Sequence, residues 1–109
     1  MVAELAKGGD RVLEGLDAHK AHLIHMVMGI SGETGELLDA VKKHVIYGNE
    51  LDVIHAIEEL GDIEFYLEGL RQGLGVSRAE CLQSNVSKLR LRYGEKYSNE
   101  AAISRADKA

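Results

Sequence analysis

Four acidic residues stand in two pairs, and the spacing within each pair suits metal chemistry. Glu33 and Glu36 lie in GETGELLDAVKK, and Glu59 and Asp62 lie in AIEELGDIEFYL. A separation of three residues puts both side chains of a pair on one face of a helix, about one turn apart. Two such helices packed face to face would bring four carboxylates together. Hard oxygen ligands of this kind suit Mg²⁺ or Mn²⁺, so we expect a site for a divalent cation.

The elements that must position these acids are helices, because apolar residues recur at helical spacing along nearly the whole chain. Three main helices are predicted, over residues 17–47, 51–72 and 77–93. Gly48 and Asn49 are the stop signal for the first, and the second is expected to end at Gly73 and Gly75. Ser77 and Glu80 have the spacing of a capping box, which predicts the start of the third. A short helix, broken at Gly8 and Gly9, is expected before them.

The predicted fold is all-α, an antiparallel helical bundle completed by oligomerisation. A chain of 109 residues fits one domain, with a core over residues 17–97 and a C-terminal tail over residues 98–109. A chain of this size buries only about 65% of its unfolded surface. Three helices then supply a modest core, so we expect partner helices from a homodimer or a homotetramer.

Composition narrows the class of protein further. Hydrophobic residues make up 45% and charged residues 28%, as in soluble globular proteins. A net charge of −5 argues against a nucleic-acid partner. No apolar run approaches the ~18 residues of a membrane span. Cys81 is the only cysteine, which suits the cytoplasm, and we interpret it as a buried thiol on a helix rather than a nucleophile.

The acids lie beside the apolar face of each helix and not opposite it, at about 100° per residue. We call the apolar face of the first helix the apolar stripe; it comprises Leu23, Val27, Ile30, Leu37, Val41 and Val45. Val53, Leu60 and Leu67 form the corresponding face of the second helix. Either acidic pair alone would be interpreted as an ordinary solvated face. Two pairs, both flanking the expected core, favour a shared site.

Glycines flank the acids at helical positions, namely Gly29, Gly32, Gly35 and Gly61. Each is less favourable than Ala in a helix by roughly 0.5–1 kcal/mol. We therefore expect another backbone or a ligand to come close at these positions. Tight helix–helix packing is the alternative explanation.

The arrangement GETGEL, a spacer of 22 residues from Glu36 to Glu59, and EELGD resembles the all-α nucleoside triphosphate pyrophosphohydrolases. It is most similar to the MazG-like branch, whose pattern is ExxE, a spacer and ExxD. The flanks HLIHMVMGIS, EFYLEGL and NVSKLRLRYGEKYSNEAAISR are similar to those of small single-domain MazG-like proteins often found in phages. The resemblance covers residues 19–105, and the double motif with its flanks is more specific than either half.

The resemblance implies Mg²⁺-dependent hydrolysis of a nucleoside triphosphate, typically a dNTP, to the monophosphate and pyrophosphate. By motif position the metal ligands would be Glu33, Glu36, Glu59 and Asp62. Asn85 and Lys88 match a downstream NxxK strip that would contact phosphate or water on the metal. Lys42 and Lys43 match a basic pair after the first motif. The chain has no tryptophan, a residue that some relatives use to stack the base.

Residue roles follow from the chemistry of phosphoryl transfer, which needs charge neutralisation and an aligned water molecule. We assign catalysis to Glu36, Glu59 and Lys88, the first two to orient water and the third to offset charge on pyrophosphate. The expected substrate-binding residues are His25, Lys43, Tyr66, Asn85, Lys88 and Arg92. Tyr47, Phe65, Tyr66 or a histidine would contact the base, His55 is a second pocket candidate, and Arg105 is a further candidate for phosphate.

Three histidines, His19, His22 and His25, recur every three residues and spread over about 120° of the first helix. One interpretation is a transition-metal site. The other is two surface histidines and one pocket histidine, His25, which shares an arc with Glu36.

Other functions stay open at this point. The same fold could act on phosphoribosyl-ATP or an alarmone, which a substrate panel would separate. A non-catalytic nucleotide-binding regulatory subunit is a second alternative, although the chain retains all four acids. A di-iron bundle usually carries two Glu-x-x-His pairs; this chain has none, and the nearest match is Asp52 with His55. The pattern leaves open the base, the sugar, the phosphorus attacked and the number of metal ions.

Overall fold

A computed structural model describes residues 1–94, and these residues are helical with no strand among them. The helices are α1 (Val2–Leu5), α2 (Gly9–Gly15), α3 (Ala18–Val45), α4 (Val53–Leu74) and α5 (Arg78–Tyr93). The all-α prediction is confirmed for this part of the chain. The predicted tail over residues 98–109, including Arg105, lies outside the described residues.

Local capping interactions begin and end the long helices. The Asp17 carboxylate accepts a 2.7 Å hydrogen bond from the Lys20 backbone N–H at the start of α3. Asp52 caps α4 in the same way, with the backbone N–H of His55 donating at 3.0 Å. Each contact satisfies a backbone donor that the first helical turn leaves free. The first predicted helix thus starts one residue later than predicted, with Asp17 as its N-cap, and the second starts two residues later.

The boundary between α4 and α5 agrees in part with the prediction, since α4 continues two residues beyond residue 72 and Gly73 lies inside the helix. Gly75 ends α4 with a φ of 70°, a left-handed conformation that glycine adopts without a steric penalty. At α5, the Glu80 backbone N–H donates to the Ser77 hydroxyl at 3.0 Å, and the Ser77 N–H donates to the Glu80 carboxylate at 3.2 Å. The predicted capping box is therefore confirmed.

The chain divides into two compact units. The first comprises Met1–Gly75 and contains α1 to α4, and the second begins at Val76 and contains α5. Each unit is described here by itself. The first holds both acidic pairs, and the second holds the Asn85, Lys88 and Arg92 strip.

The helices α3 and α4 pack side by side in opposite directions. The Nε2–H of His22 donates to the Gly69 carbonyl oxygen at 2.7 Å, and that of His19 donates to the Gly73 carbonyl oxygen at 2.7 Å. Residue numbers fall along α3 as they rise along α4, so the pair is antiparallel. The prediction of two surface histidines is wrong for His22, which is half-buried and joins the helices.

Small residues bring the two helices close together along this α3–α4 interface. A Cβ added at Gly69 would overlap the sulfur of Met26, and one at Gly73 would lie 3.0 Å from Leu23 Cδ2. The two glycines are four residues apart and therefore share a face of α4. That spacing was the available signal for a helix contact, and the sequence reasoning missed it.

Within the described residues of one chain, the apolar stripe is only partly buried and does not by itself form a core. Val27 is 47% exposed and Val45 is 70% exposed. Among the described residues only Met26 and Glu59 are buried. The reason is that α3 contacts α4 through the neighbouring strip, which includes His22 and Gly29 as well as Met26 and carries the acids. Leu23 of the apolar stripe also reaches α4 at Gly73, whereas Val27 and Val45 lie to one side of this interface.

No helix among the described residues combines the length and the apolar character that crossing a membrane requires. Cys81 is exposed on α5, so the prediction of a buried thiol is wrong.

Candidate metal centre

The two acidic pairs meet across the α3–α4 interface. Glu33 on α3 and Glu59 and Asp62 on α4 each place a carboxylate oxygen within 4.8 Å of the others. In the part of the chain that the structure describes, this is the group of side chains that could hold a metal ion. The histidines at positions 19, 22 and 25 are not part of it. We call Glu33, Glu36, Glu59 and Asp62 the acid cluster.

Two oxygens of the acid cluster are buried without a hydrogen-bond partner. They are Oε2 of Glu33 and Oε2 of Glu59, and no donor from the described residues reaches either one. Glu59 as a whole is only 4% exposed. A buried acceptor without a donor is unfavourable and demands an explanation. A bound cation would explain both oxygens, because it accepts their lone pairs and neutralises their negative charge.

Glu36 is the exposed member of the cluster on α3, and it lies against Glu59. The adjoining Glu33 carboxyl, burial, and the Glu36 carboxyl together raise the pKa of Glu59 from its ordinary 4.5 to about 8. The cause is that facing carboxylates repel one another and can hydrogen-bond only if one of them carries a proton. A metal ion bound here would neutralise the facing carboxylates without the need for a proton.

The donor set fits a small divalent cation. An Mg–O bond is about 2.1 Å, so ligands on opposite sides of the ion stand roughly 4.2 Å apart. The three oxygens of the acid cluster, all within 4.8 Å of one another, are close to that separation. The ligands are hard oxygens without sulfur, which suits Mg²⁺ or Mn²⁺. His55 adds a nitrogen at the edge of the site, with Nε2 at 3.7 Å from Glu59 Oε1.

The raised pKa of Glu59 predicts a pH dependence of stability in the metal-free protein. The unfolded chain loses this proton near pH 4.5, whereas the folded chain keeps it to about pH 8. Between these values the folded state binds more protons, so raising the pH weakens folding. We expect the melting temperature in EDTA to fall from pH 5 to pH 8 relative to that of Glu59→Gln, which lacks the titrating group. A difference between the two proteins that is constant over this range would contradict the prediction.

Aromatic side chains gather one turn away from the acid cluster. The ring of Tyr66 contacts that of Phe65 edge-on at 5.3 Å between centroids, and that of His25 at 6.2 Å. The structure thus brings together His25 and Tyr66, both predicted substrate-binding residues. Phe65 is 68% exposed beside them.

Lys43 lies near the other end of the α3–α4 interface. Its ammonium pairs with Asp39 at 3.0 Å on the exposed surface of α3. Both residues line a cavity of about 240 Å³ that His55 and Asn49 also line. Lys43 is therefore on the same side of the hairpin as His55, and its predicted contact with substrate stays a prediction.

Asn85, Lys88 and Arg92 recur every three or four residues on α5 and share one face of that helix. They belong to the second unit of the chain, whereas the acid cluster belongs to the first. Their predicted roles in binding phosphate and, for Lys88, in catalysis stay predictions.

At Gly29 the structure favours the alternative explanation, tight helix–helix packing. A Cβ at Gly29 would overlap the ring of Tyr66, so this glycine does admit a close neighbour. At Gly32, Gly35 and Gly61 an added Cβ would meet no other atom of the described chain within 4 Å. For those three, the expectation of a neighbouring backbone is wrong within the described part of one chain.

Comparison with known proteins yields no relative: no family model, curated protein or solved structure matches the chain. The similarity to the MazG-like pattern therefore rests on the motifs described above.

Proposed function

We propose that the protein is a metal-dependent nucleoside triphosphate pyrophosphohydrolase that converts dNTPs to monophosphate and pyrophosphate. The observation that carries the proposal is the convergence of Glu33, Glu59 and Asp62 with two buried, unpartnered carboxylate oxygens. That geometry supports a divalent-cation site. The ExxE and ExxD motifs that supply these residues, with their spacer, support the choice of reaction.

Each part of the acid cluster has a task in this reaction. Mg²⁺, when bound, would neutralise the triphosphate and fix its geometry. Glu33, Glu59 and Asp62 would hold the ion, with Glu36 as the fourth ligand. Glu36 or Glu59 would also accept a hydrogen bond from the attacking water and so orient it. Glu36 is the better placed for this task because it is the exposed acid on α3.

The remaining assignments concern the substrate. Lys88 would offset the charge that builds up on pyrophosphate, and Asn85, Arg92 and Lys43 would contact phosphate oxygens. His25 and Tyr66 would lie along the nucleoside. The exposure of His25 and its position beside the Tyr66 ring support this assignment. We propose a cytoplasmic location, which the single cysteine supports.

We propose further that a second copy of the chain completes the fold, as a homodimer or a homotetramer. The half-exposed apolar stripe supports this proposal, since large contiguous apolar surfaces mark interaction sites. Burial between only two long helices would leave a chain of this size marginally stable.

The reaction products test the proposed function. We expect incubation with Mg²⁺ and a dNTP to release pyrophosphate and the nucleoside monophosphate, and EDTA to stop the release. The panel should include ribonucleotides, phosphoribosyl-ATP and an alarmone, because these are the alternative substrates for such a site. Anion-exchange chromatography separates the products. Release of orthophosphate with a nucleoside diphosphate would contradict the proposal, and binding without turnover would favour a regulatory subunit.

A further inference from the structure

The ring of Tyr66 lies directly on the backbone of α3. A Cβ at Gly29 would overlap three carbons of this ring, Cγ, Cδ1 and Cε1. No side chain therefore separates the ring from the helix. The contact is a close approach that any residue larger than glycine would prevent without a shift of one helix or of the ring.

This contact is one helical turn from the acid cluster on both helices. Gly29 precedes Glu33 by four residues, and Tyr66 follows Asp62 by four residues. Because α3 and α4 are antiparallel, both offsets point in the same direction along the interface. The ring and the acids are consequently adjacent layers of the same helix pair.

Beyond the ring, the interface continues through contacts of a different kind. Met26 meets Gly69, and His22 hydrogen-bonds to the Gly69 carbonyl oxygen. These contacts hold the helices together but lie two turns or more from Glu33. Among the close contacts made at glycines along this interface, the one between Gly29 and the Tyr66 ring is nearest to the acids.

We propose that Gly29 and Tyr66, which we call the spacer pair, set the distance between α3 and α4 at the acid cluster. Ligand atoms must stand within a few tenths of an ångström of their places for a small cation to bind well. Glu33 comes from one helix and Glu59 and Asp62 from the other, so the helix separation decides whether they reach one ion. Tyr66 is then a positioning residue whose ring, and not its hydroxyl, matters. This inference rests on the proposed metal-binding function.

The test measures Mn²⁺ affinity by electron paramagnetic resonance, with the full chain and at a temperature where circular dichroism shows each variant folded. Gly29→Ala should weaken Mn²⁺ binding by about tenfold or more, as loss of an orienting group does. Tyr66→Leu should weaken it similarly. Tyr66→Phe keeps the ring and should bind Mn²⁺ like the wild type.

The double variant gives the sharpest result. Leucine leaves room for the added methyl group, so Gly29→Ala with Tyr66→Leu should bind Mn²⁺ more tightly than Gly29→Ala alone. If the two substitutions instead weakened Mn²⁺ binding independently of each other, their effects on the affinity would add. Gly32→Ala is the matched control, since its methyl group would meet no described atom within 4 Å, and it should leave Mn²⁺ affinity unchanged.

Three results would overturn the proposal that the spacer pair sets the helix separation. They are a folded Gly29→Ala with wild-type Mn²⁺ affinity, a double variant no better than Gly29→Ala, and a wild type that binds no Mn²⁺. If Gly29→Ala does not fold, equal affinities of Tyr66→Leu and Tyr66→Phe would overturn it as well. Pyrophosphate release is measured in parallel: a wild type that binds Mn²⁺ without hydrolysing any nucleotide refutes the proposed function and leaves the spacer pair in place.

Discussion

Glu59→Gln is expected to abolish nucleotide hydrolysis while leaving the metal-free protein as stable as the wild type or slightly more stable. Glutamine keeps the shape of the side chain but removes the charge and one acceptor oxygen. Activity should fall by more than the ~10–100-fold that follows the loss of an outer-shell partner, because Glu59 is assigned as a ligand. Glu36→Gln should behave in the same way.

The stability of the variant separates a metal ligand from a structural acid. In the metal-free site Glu59 is crowded by Glu33 and Glu36, whose carboxyls raise its pKa. Below about pH 8 this carboxyl already carries a proton, so glutamine replaces it without a change of charge, and at higher pH glutamine removes the repulsion among the three carboxylates. A ligand at 100 times its Kd stabilises a folded protein by about 2.7 kcal/mol, which corresponds to a rise in melting temperature on the order of 10 °C for a domain of this size. Mg²⁺ should produce such a rise in the wild type and none in Glu59→Gln.

Glu58→Gln is the matched control. It makes the same chemical change one residue earlier in α4, at an exposed position outside the acid cluster. Activity and the Mg²⁺-induced rise should both be kept. If Glu59→Gln instead melts well below the wild type and stays active, Glu59 is a structural acid and the metal-site assignment is wrong.

Val27→Glu is expected to break the proposed oligomer and to lower stability strongly. Val27 is about half exposed in a single chain, where a surface substitution would change the free energy of unfolding by only about 0.5 kcal/mol. If a second copy covers the apolar stripe, the new carboxylate is buried without a partner, which costs about 3–5 kcal/mol. Light scattering should then change from a dimer or tetramer to the 11.9 kDa of one chain.

Met28→Glu is the control for this experiment. Met28 is more exposed than Val27, at 65%, and lies about 140° from the middle of the apolar stripe around the α3 axis. The Met28→Glu variant should remain an oligomer with a nearly unchanged melting temperature. A wild type that is monomeric at micromolar concentration and turns over substrate would show that no partner helix is needed.

The helices and their boundaries could be predicted because the interactions that set them are local. The capping box joins Ser77 to Glu80, and Gly75 ends α4 through its own left-handed backbone. Contacts within four residues depend on sequence spacing alone. The pairing of Glu33 with Glu36, and of Glu59 with Asp62, on one helix face follows from the same geometry.

The packing of those helices was harder to predict from the sequence. The periodicity of α3 marks an apolar stripe and an adjoining polar strip, and it favours the stripe as the buried face. The structure instead places the polar strip against α4, because His22 reaches the Gly69 carbonyl and Met26 lies over Gly69. Such contacts join residues more than 40 positions apart in the chain, and helical periodicity contains no information about them.

The sequence by itself determined that residues 1–94 are mainly helical, where the long helices begin to within two residues, and which four acids could share a site. Only the tertiary structure decided that Glu59 is the buried acid with a raised pKa, and that Tyr66 lies on Gly29. The physical reason is the distance along the chain between the residues that interact. Capping and face periodicity are properties of one helix, whereas burial, charge crowding and close approach are properties of two helices at a particular separation.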